Sequence, residues 1–573
     1  MTVLRNPVLR GFAPDPSLIR VGDWYYVATS SFEWFPTIPL HRSRDLAHWE
    51  YAGHVQRAVP GNSLAGVPDS GGVWAPALSW DGERFWVTYT VVRSVGTPYF
   101  DLDTYVSTAD AVGGEWSAPR RVPSHGFDPA LFHEDGRLWL LNLQNDHRPG
   151  GERFAGIVVT ELDRDTLEPV GDTRLLLQHD RLVEGPKLLR REGWYYLVLA
   201  EGGTGWEHGV RVARAKELTG PYELDALPLL TTRDDPGLPL QKAGHGELVE
   251  TPDGQWLLGH LTARPLHTAR GRRCTLGRET AIQAVTWDAD GWPRLRHGGW
   301  HPAVEVDVPT TPHPLPPAGG SAHPLPPADR PTRHLPPGDQ PTHPLPPADR
   351  LAHHLPPADR PAGLSWPWST LREPPDPSWA DTTVRPGWIR LRGRHGPESR
   401  WAASLLAQRV TEHRAEAEVT VEARPVTFTQ AAGLVLWYNP EAYLSLDLTW
   451  AEPWGEPQRG QQWRGPAGGG GRTVLSLVER DEEGLRQVAV VDVAADAPVT
   501  LGVTVEGADA RFWYLRDGAR TAVGPALDFS RLSDDHGSRL RFTGAMAGVH
   551  ARDLVDAAFT ADFTGFRLVC TPD

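Results

Sequence analysis

Along the first 260 residues, apolar and polar positions spell one short phrase five times: a glycine turn, then an aromatic-rich apolar strand. The copies are Gly22-Asp-Trp-Tyr-Tyr26, Gly82-Glu-Arg-Phe-Trp86, Gly136-Arg-Leu-Trp-Leu140, Gly193-Trp-Tyr-Tyr-Leu197 and Gly254-Gln-Trp-Leu-Leu258. Successive glycines are 60, 54, 57 and 61 residues apart. Between the phrases lie further short alternating runs, such as Ala281-Ile-Gln-Ala-Val-Thr-Trp287, punctuated by Asp-Gly turns at 81–82, 135–136, 253–254 and 290–291. Asp-Gly between two apolar runs is a hairpin signal, and long amphipathic helical patterns are missing. A strand-built repeat of this length predicts the blades of a five-bladed β-propeller, and we assign it residues 1–305.

A second repeat has a different character. Leu-Pro-Pro recurs at 315, 325, 335, 345 and 355, a period of ten. So much proline with so little apolar content cannot bury a core, so residues 306–364 read as an extended, polyproline-like linker. Its histidines are scattered by the spacing and predict no metal site. From 365 to 573 alternation returns, as in Ala415-Glu-Ala-Glu-Val-Thr-Val-Glu422 and Tyr443-Leu-Ser-Leu-Asp-Leu-Thr-Trp450. Many strands without a 50-residue repeat predict a β-sandwich, and the whole chain reads as all-β.

Composition narrows the function. The formal net charge of −15 argues against a nucleic-acid or anionic-membrane partner, which needs a basic face. The 24 tryptophans suit sugar recognition, because a flat ring matches the C–H face of a pyranose, and equally suit an aromatic-cored β protein. The two cysteines, Cys274 and Cys570, have no metal-ligand spacing and read as free thiols in a reducing compartment. With no apolar leader at Met1-Thr-Val-Leu-Arg and no long apolar run, the expected location is the cytoplasm. Both a monomer and a homo-oligomer are compatible with this composition.

Seven to nine residues before each repeated glycine stands Asp15, Trp74, Asp128, Glu184 or His245. Equivalent positions of successive blades converge on one axis, so three carboxylates are expected to face one channel. Each acid is also flanked within two residues by proline, which suits the mouth of an inner strand. Taken singly, each acid could merely cap a turn; their shared register points to chemistry instead. Glycoside hydrolysis requires one protonated carboxyl and one carboxylate on opposite sides of the anomeric carbon. Glutamate has the reach to deliver a proton, and burial near other carboxylates raises its pKa. Glu184 is therefore assigned as general acid and Asp15 as general base. Asp128 orients the sugar and holds Glu184 in its acid form.

At these residues the chain resembles the β-xylosidases of glycoside hydrolase family 43. Four stretches carry the resemblance: Gly11-Phe-Ala-Pro-Asp-Pro-Ser17, Ser31-Phe-Glu-Trp-Phe-Pro36, Gly72-Val-Trp-Ala-Pro76 and Leu276-Gly-Arg-Glu-Thr-Ala-Ile-Gln283. The resemblance implies a five-bladed propeller capped by a concanavalin-like sandwich, hydrolysis with inversion, and the same three acid roles. It implies Phe32 and Trp74 as walls of the terminal-sugar subsite, Arg278 as a donor to sugar hydroxyls, and Phe542 as the sandwich's contribution to the rim. His245 is implied to sit near the acids; a hydrogen-bonded core histidine is the alternative. No cofactor is required, although some relatives hold a water-bound Ca2+ in the channel. The expected substrates are xylo- or arabinoxylo-oligosaccharides, cut one xylose at a time from the non-reducing end. The alternatives are an α-L-arabinofuranosidase or dual-specificity enzyme, and a non-catalytic carbohydrate-binding protein. Two stretches depart from the family pattern: Arg264–Cys274 looks short, and 202–209 carries a tryptophan, both on the leaving-group side.

Overall fold

A computed structural model of the chain describes residues 2–56, 63–97, 99–308, 353–354, 364, 367–452, 470–494, 497–539 and 541–572. All regular structure among them is β, apart from one 3-10 turn at Phe529–Arg531. Five antiparallel sheets follow one another along the first 295 residues, each built from strands met in chain order. Their first strands are Ser17–Val21, Gly72–Trp80, Ala130–Glu134, Val183–Arg191 and Gln241–Glu250. Each first strand touches the first strands of the blades before and after it, and the fifth touches the first, so the five ring a common axis. The repeated glycines make the first hairpin of each blade. All five have positive φ, from 59° to 100°, and Asp135-Gly136 and Glu192-Gly193 are left-handed at both residues, as a two-residue hairpin requires.

The apolar phrases pack between blades. Phe85, Val87, Tyr89 and Val91 of the second blade meet Ala28, Ile38 and Leu40 of the first. Leu141, Leu143 and Val159 of the third meet Leu197 and Leu199 of the fourth. The ring is closed beside the fifth blade by pairing Thr2–Arg5 with Glu305–Val308. Asn6 fastens this seam: Nδ2 donates to Ile282 O at 2.8 Å and Oδ1 accepts from Ile282 N at 2.8 Å. The boundary assigned at 305 thus falls inside a strand. The ten-residue repeat lies outside the described residues, except that His353–His354 pair with Thr560–Thr571.

The second half is a two-sheet sandwich. Alternate residues of its strands, among them Val419, Val421, Leu434, Leu436, Phe512 and Phe563, fill the space between the sheets. The other face of one sheet, carrying Val435, Trp437 and Met546, packs on Phe12, Phe32 and Trp34 of the propeller. That sheet ends on a propeller strand: Trp34–Phe35 pair with Ser369–Leu371. Glu412 adds an ionic tie, receiving Arg264 Nη1 at 2.6 Å and also Arg10.

Candidate active site

The five register positions share a backbone device. Asp15, Asp128 and His245 are left-handed, with φ of 53°, 54° and 46°, as are Ala75 and Gly185 directly after Trp74 and Glu184, at 28° and 56°. Each left-handed residue is followed by proline, or in the last case by Gly246. The ladder slips at these points between Trp74 and Ala77, Glu184 and Lys187, and Gly244 and Glu247. A bulge of this kind turns a side chain out of the sheet pleat. Non-glycine residues in this conformation cost about 1–3 kcal/mol each and persist where packing enforces them.

The structure brings the sequence-assigned residues into one buried cluster. Arg278, 2 % exposed, donates from Nη1 to Asp15 Oδ1 at 2.8 Å and to Thr204 Oγ1 at 2.7 Å, and from Nη2 to Phe542 O at 3.0 Å. Ser30 Oγ donates to Asp15 Oδ2 at 2.6 Å and accepts from Ala75 N at 2.8 Å. Asp128 Oδ2 accepts Gly185 N at 3.0 Å, so it lies against the backbone beside Glu184. His245 Nδ1 is 3.7 Å from Asp15 Oδ1.

Aromatic rings wall this cluster. Phe32 lies 5.9 Å from Phe12, 6.1 Å from Trp74 and 5.9 Å from Phe542, measured between centroids. Trp74 meets Phe542 edge-on at 5.4 Å. Phe542 comes from the sandwich, and its N–H donates to Ser70 Oγ of the propeller at 3.0 Å. Aromatic rings from both domains therefore surround the buried polar cluster.

A model of glycosyl hydrolases family 43 matches residues 4–293, and a model of the β-xylosidase C-terminal concanavalin A-like domain matches 360–568. The chain belongs to family 43. It is 37% identical to xylosidase/arabinosidase 43B of Humicola insolens over 99% of this chain and 97% of that protein. It is 34% identical to a β-xylosidase of Bacillus subtilis strain 168 over 98% of this chain and 99% of that one. The crystal structure of a xylan β-1,4-xylosidase from Bacillus halodurans C-125 superimposes with a TM-score of 0.86 at 37% identity, covering 99% of this chain and all of that one.

Within this family-43 pocket the carboxyls are driven apart electrostatically. Burial raises the pKa of Asp15, but Arg278, His245 and the Ser30 hydroxyl outweigh it and hold the group below its ordinary value. Burial raises Glu184 well above its ordinary value, and the charges of Asp128 and Asp15 push it further. Asp128 is raised to about 7, by burial and then by Asp15, against Lys187 and the Gly185 N–H. Burial lowers His245 to about 4, so it is neutral near pH 7. A Ca2+ ion needs six to eight oxygen ligands. The surroundings of His245 do not fit: Lys187 and Arg278 are its charged neighbours beside Asp15. Among the described residues no group of three His, Cys, Asp or Glu could hold a metal ion.

Sequence reasoning missed Ser30, Thr204, Lys187 and Phe12. Ser30 could have been found from the polar run Thr29-Ser30-Ser31, which ends the apolar strand Trp24–Ala28 opposite the start of the strand after Asp15. Cys274 and Cys570 are free thiols. No helix among the described residues is long and apolar enough to cross a membrane.

Proposed function

We propose that the chain is an inverting, exo-acting β-D-xylosidase that releases xylose from the non-reducing end of short β-1,4-xylo-oligosaccharides. The observation that carries this reading is the gathering of Asp15, Asp128 and Glu184, from three blades, into one buried cluster with Arg278, where Asp15 is held below and Glu184 raised above its ordinary pKa. Asp15, kept ionised by Arg278 and Ser30, takes a proton from water as the water attacks the anomeric carbon. Glu184, kept protonated, gives its proton to the glycosidic oxygen as that bond breaks. Asp128 raises Glu184 and, with the neutral His245, orders the floor. Phe32, Trp74 and Phe542 hold the C–H surface of the terminal sugar. Arg278 is the donor to sugar hydroxyls in this reading; its Nε is buried with no acceptor among the described residues. The roof supplied by Phe542 supports exo cleavage, because a closed pocket admits only a chain end.

The name of the Humicola relative covers both xylosidase and arabinosidase, so cleavage of terminal α-L-arabinofuranosyl groups is the second reading. The free thiols and acidic charge support action in the cytoplasm on imported oligomers. Residues 1–308 would act as the catalytic unit and 367–573 as its cap. The test is xylose release from xylobiose, together with NMR of the anomer first formed from methyl β-D-xyloside, which yields a single sugar. We expect α-xylose, no turnover in Glu184→Gln or Asp15→Asn, and unchanged folding of both. Retained turnover in either variant, or first-formed β-xylose, overturns the assignment.

A further inference from the structure

The proton of Glu184 must face the glycosidic oxygen, so the departing sugar lies on the outward side of that residue. The loop 202–208 adjoins the Glu184 strand. It follows the strand paired with Glu184, in which Ala200 stands opposite Glu184 and Glu201 opposite Val183. The loop folds back on its own blade: Gly202 N donates to Leu182 O at 2.9 Å, and His208 N to Gly205 O at 3.2 Å. Gly202 is left-handed at φ 83°, and a Cβ there would meet Glu207 O at 2.3 Å. The turn is therefore fixed, and its tip reaches the centre, because Thr204 Oγ1 receives Arg278 Nη1. Trp206 stands two residues further out, half-buried.

Two cations brace this ring. Arg272 Cζ lies 3.8 Å from its centroid and Lys242 Nζ 4.7 Å. Lys242 is buried and neutralised by the sandwich, with Asp535 Oδ1 at 2.7 Å and Asp534 Oδ2 at 3.6 Å. Arg272 differs: it has no carboxylate partner among the described residues, and its Nη1 donates to Gln241 Oε1 at 2.7 Å. Trp206 and Arg272 come from the two stretches that depart from the family pattern, and neither takes part in the proton transfers assigned above. A braced indole with guanidinium N–H groups to spare suits a flat, hydroxyl-bearing ring.

We propose that Trp206, braced by Arg272, forms the leaving-group subsite and determines the preference for an oligosaccharide over a simple xyloside. The indole takes the C–H surface of the second xylosyl unit, and the Arg272 guanidinium donates to its hydroxyls. This inference rests on the xylosidase reading above. It is tested by the ratio of kcat/KM for xylobiose to that for methyl β-D-xyloside, whose leaving group has no ring. Trp206→Ala lowers this ratio about tenfold, Arg272→Ala lowers it about fivefold, and Trp206→Phe restores most of the loss. A fall of less than about threefold in both alanine variants overturns the proposal. If the unaltered enzyme cleaves neither substrate, the xylosidase reading itself fails, and this subsite with it.

Discussion

Removing the charge of Asp128 without removing its shape isolates its effect on the general acid. Asparagine can still accept the Gly185 N–H that Asp128 Oδ2 receives at 3.0 Å. What Asp128→Asn loses is a buried negative charge, the second cause, after burial, of the raised pKa of Glu184. A like charge beside a buried carboxyl raises its pKa, and Arg278 offsets part of this here. We therefore expect Glu184 to fall towards its ordinary value, and each pH unit by which the alkaline limb of kcat/KM moves measures about 1.4 kcal/mol of that effect. The sign follows from the role. Glu184 must be protonated to act, so a lower pKa moves the alkaline limb of kcat/KM to lower pH. Asp128 is itself raised by burial and by Asp15, so its charge, and with it the difference from the unaltered enzyme, grows as pH rises. The assay is kcat/KM for xylobiose across pH 4–9, its limbs read as values for the coupled acids together. An alkaline limb that stays within about 0.3 unit while activity falls would refute the electrostatic role and leave Asp128 as a sugar ligand only.

Ser30→Ala removes the 2.6 Å hydrogen bond that favours the ionised form of Asp15. Its folded pKa then rises, and the acid limb of kcat/KM should move up by about 0.5–1 unit in the same pH series. Phe542→Ala opens the aromatic roof and should lower kcat/KM for xylobiose by about 10–100-fold, measured by initial rates; full activity would remove the capping role. Glu412→Ala leaves Arg10 and Arg264 without their shared carboxylate at the domain interface. It should destabilise the protein by about 1–2 kcal/mol in denaturant unfolding, because the partly exposed Arg10 loses its carboxylate while Arg264 keeps Glu279 at 2.7 Å.

The propeller was legible because its information is local. Each Gly-led phrase states a turn and a strand within a few residues, and the spacing states the repeat. The acids were legible for the same reason, since Asp15, Asp128 and Glu184 keep register with those turns. Contacts that couple distant parts of the chain were not legible. Ser30, Thr204 and Phe12 join the site only because chain folding sets them against Asp15, Arg278 and Phe32. The left-handed residues had a visible trace in the prolines that follow four of them, but the backbone conformation itself depends on the bulged ladder. The boundary at 305 follows from the extent of the repeated phrases, whereas the strand Glu305–Val308 exists because Thr2–Arg5 reaches back to pair with it.

The two residues Trp34 and Phe35 belong by sequence to the propeller and by hydrogen bonding to the sandwich. Neither half therefore has a finished border alone: without its guest, the strand Ser369–Leu371 would present bare amides to solvent. A graft of a cap from one relative onto the barrel-like base of another must carry a matching dipeptide, or the seam will not knit.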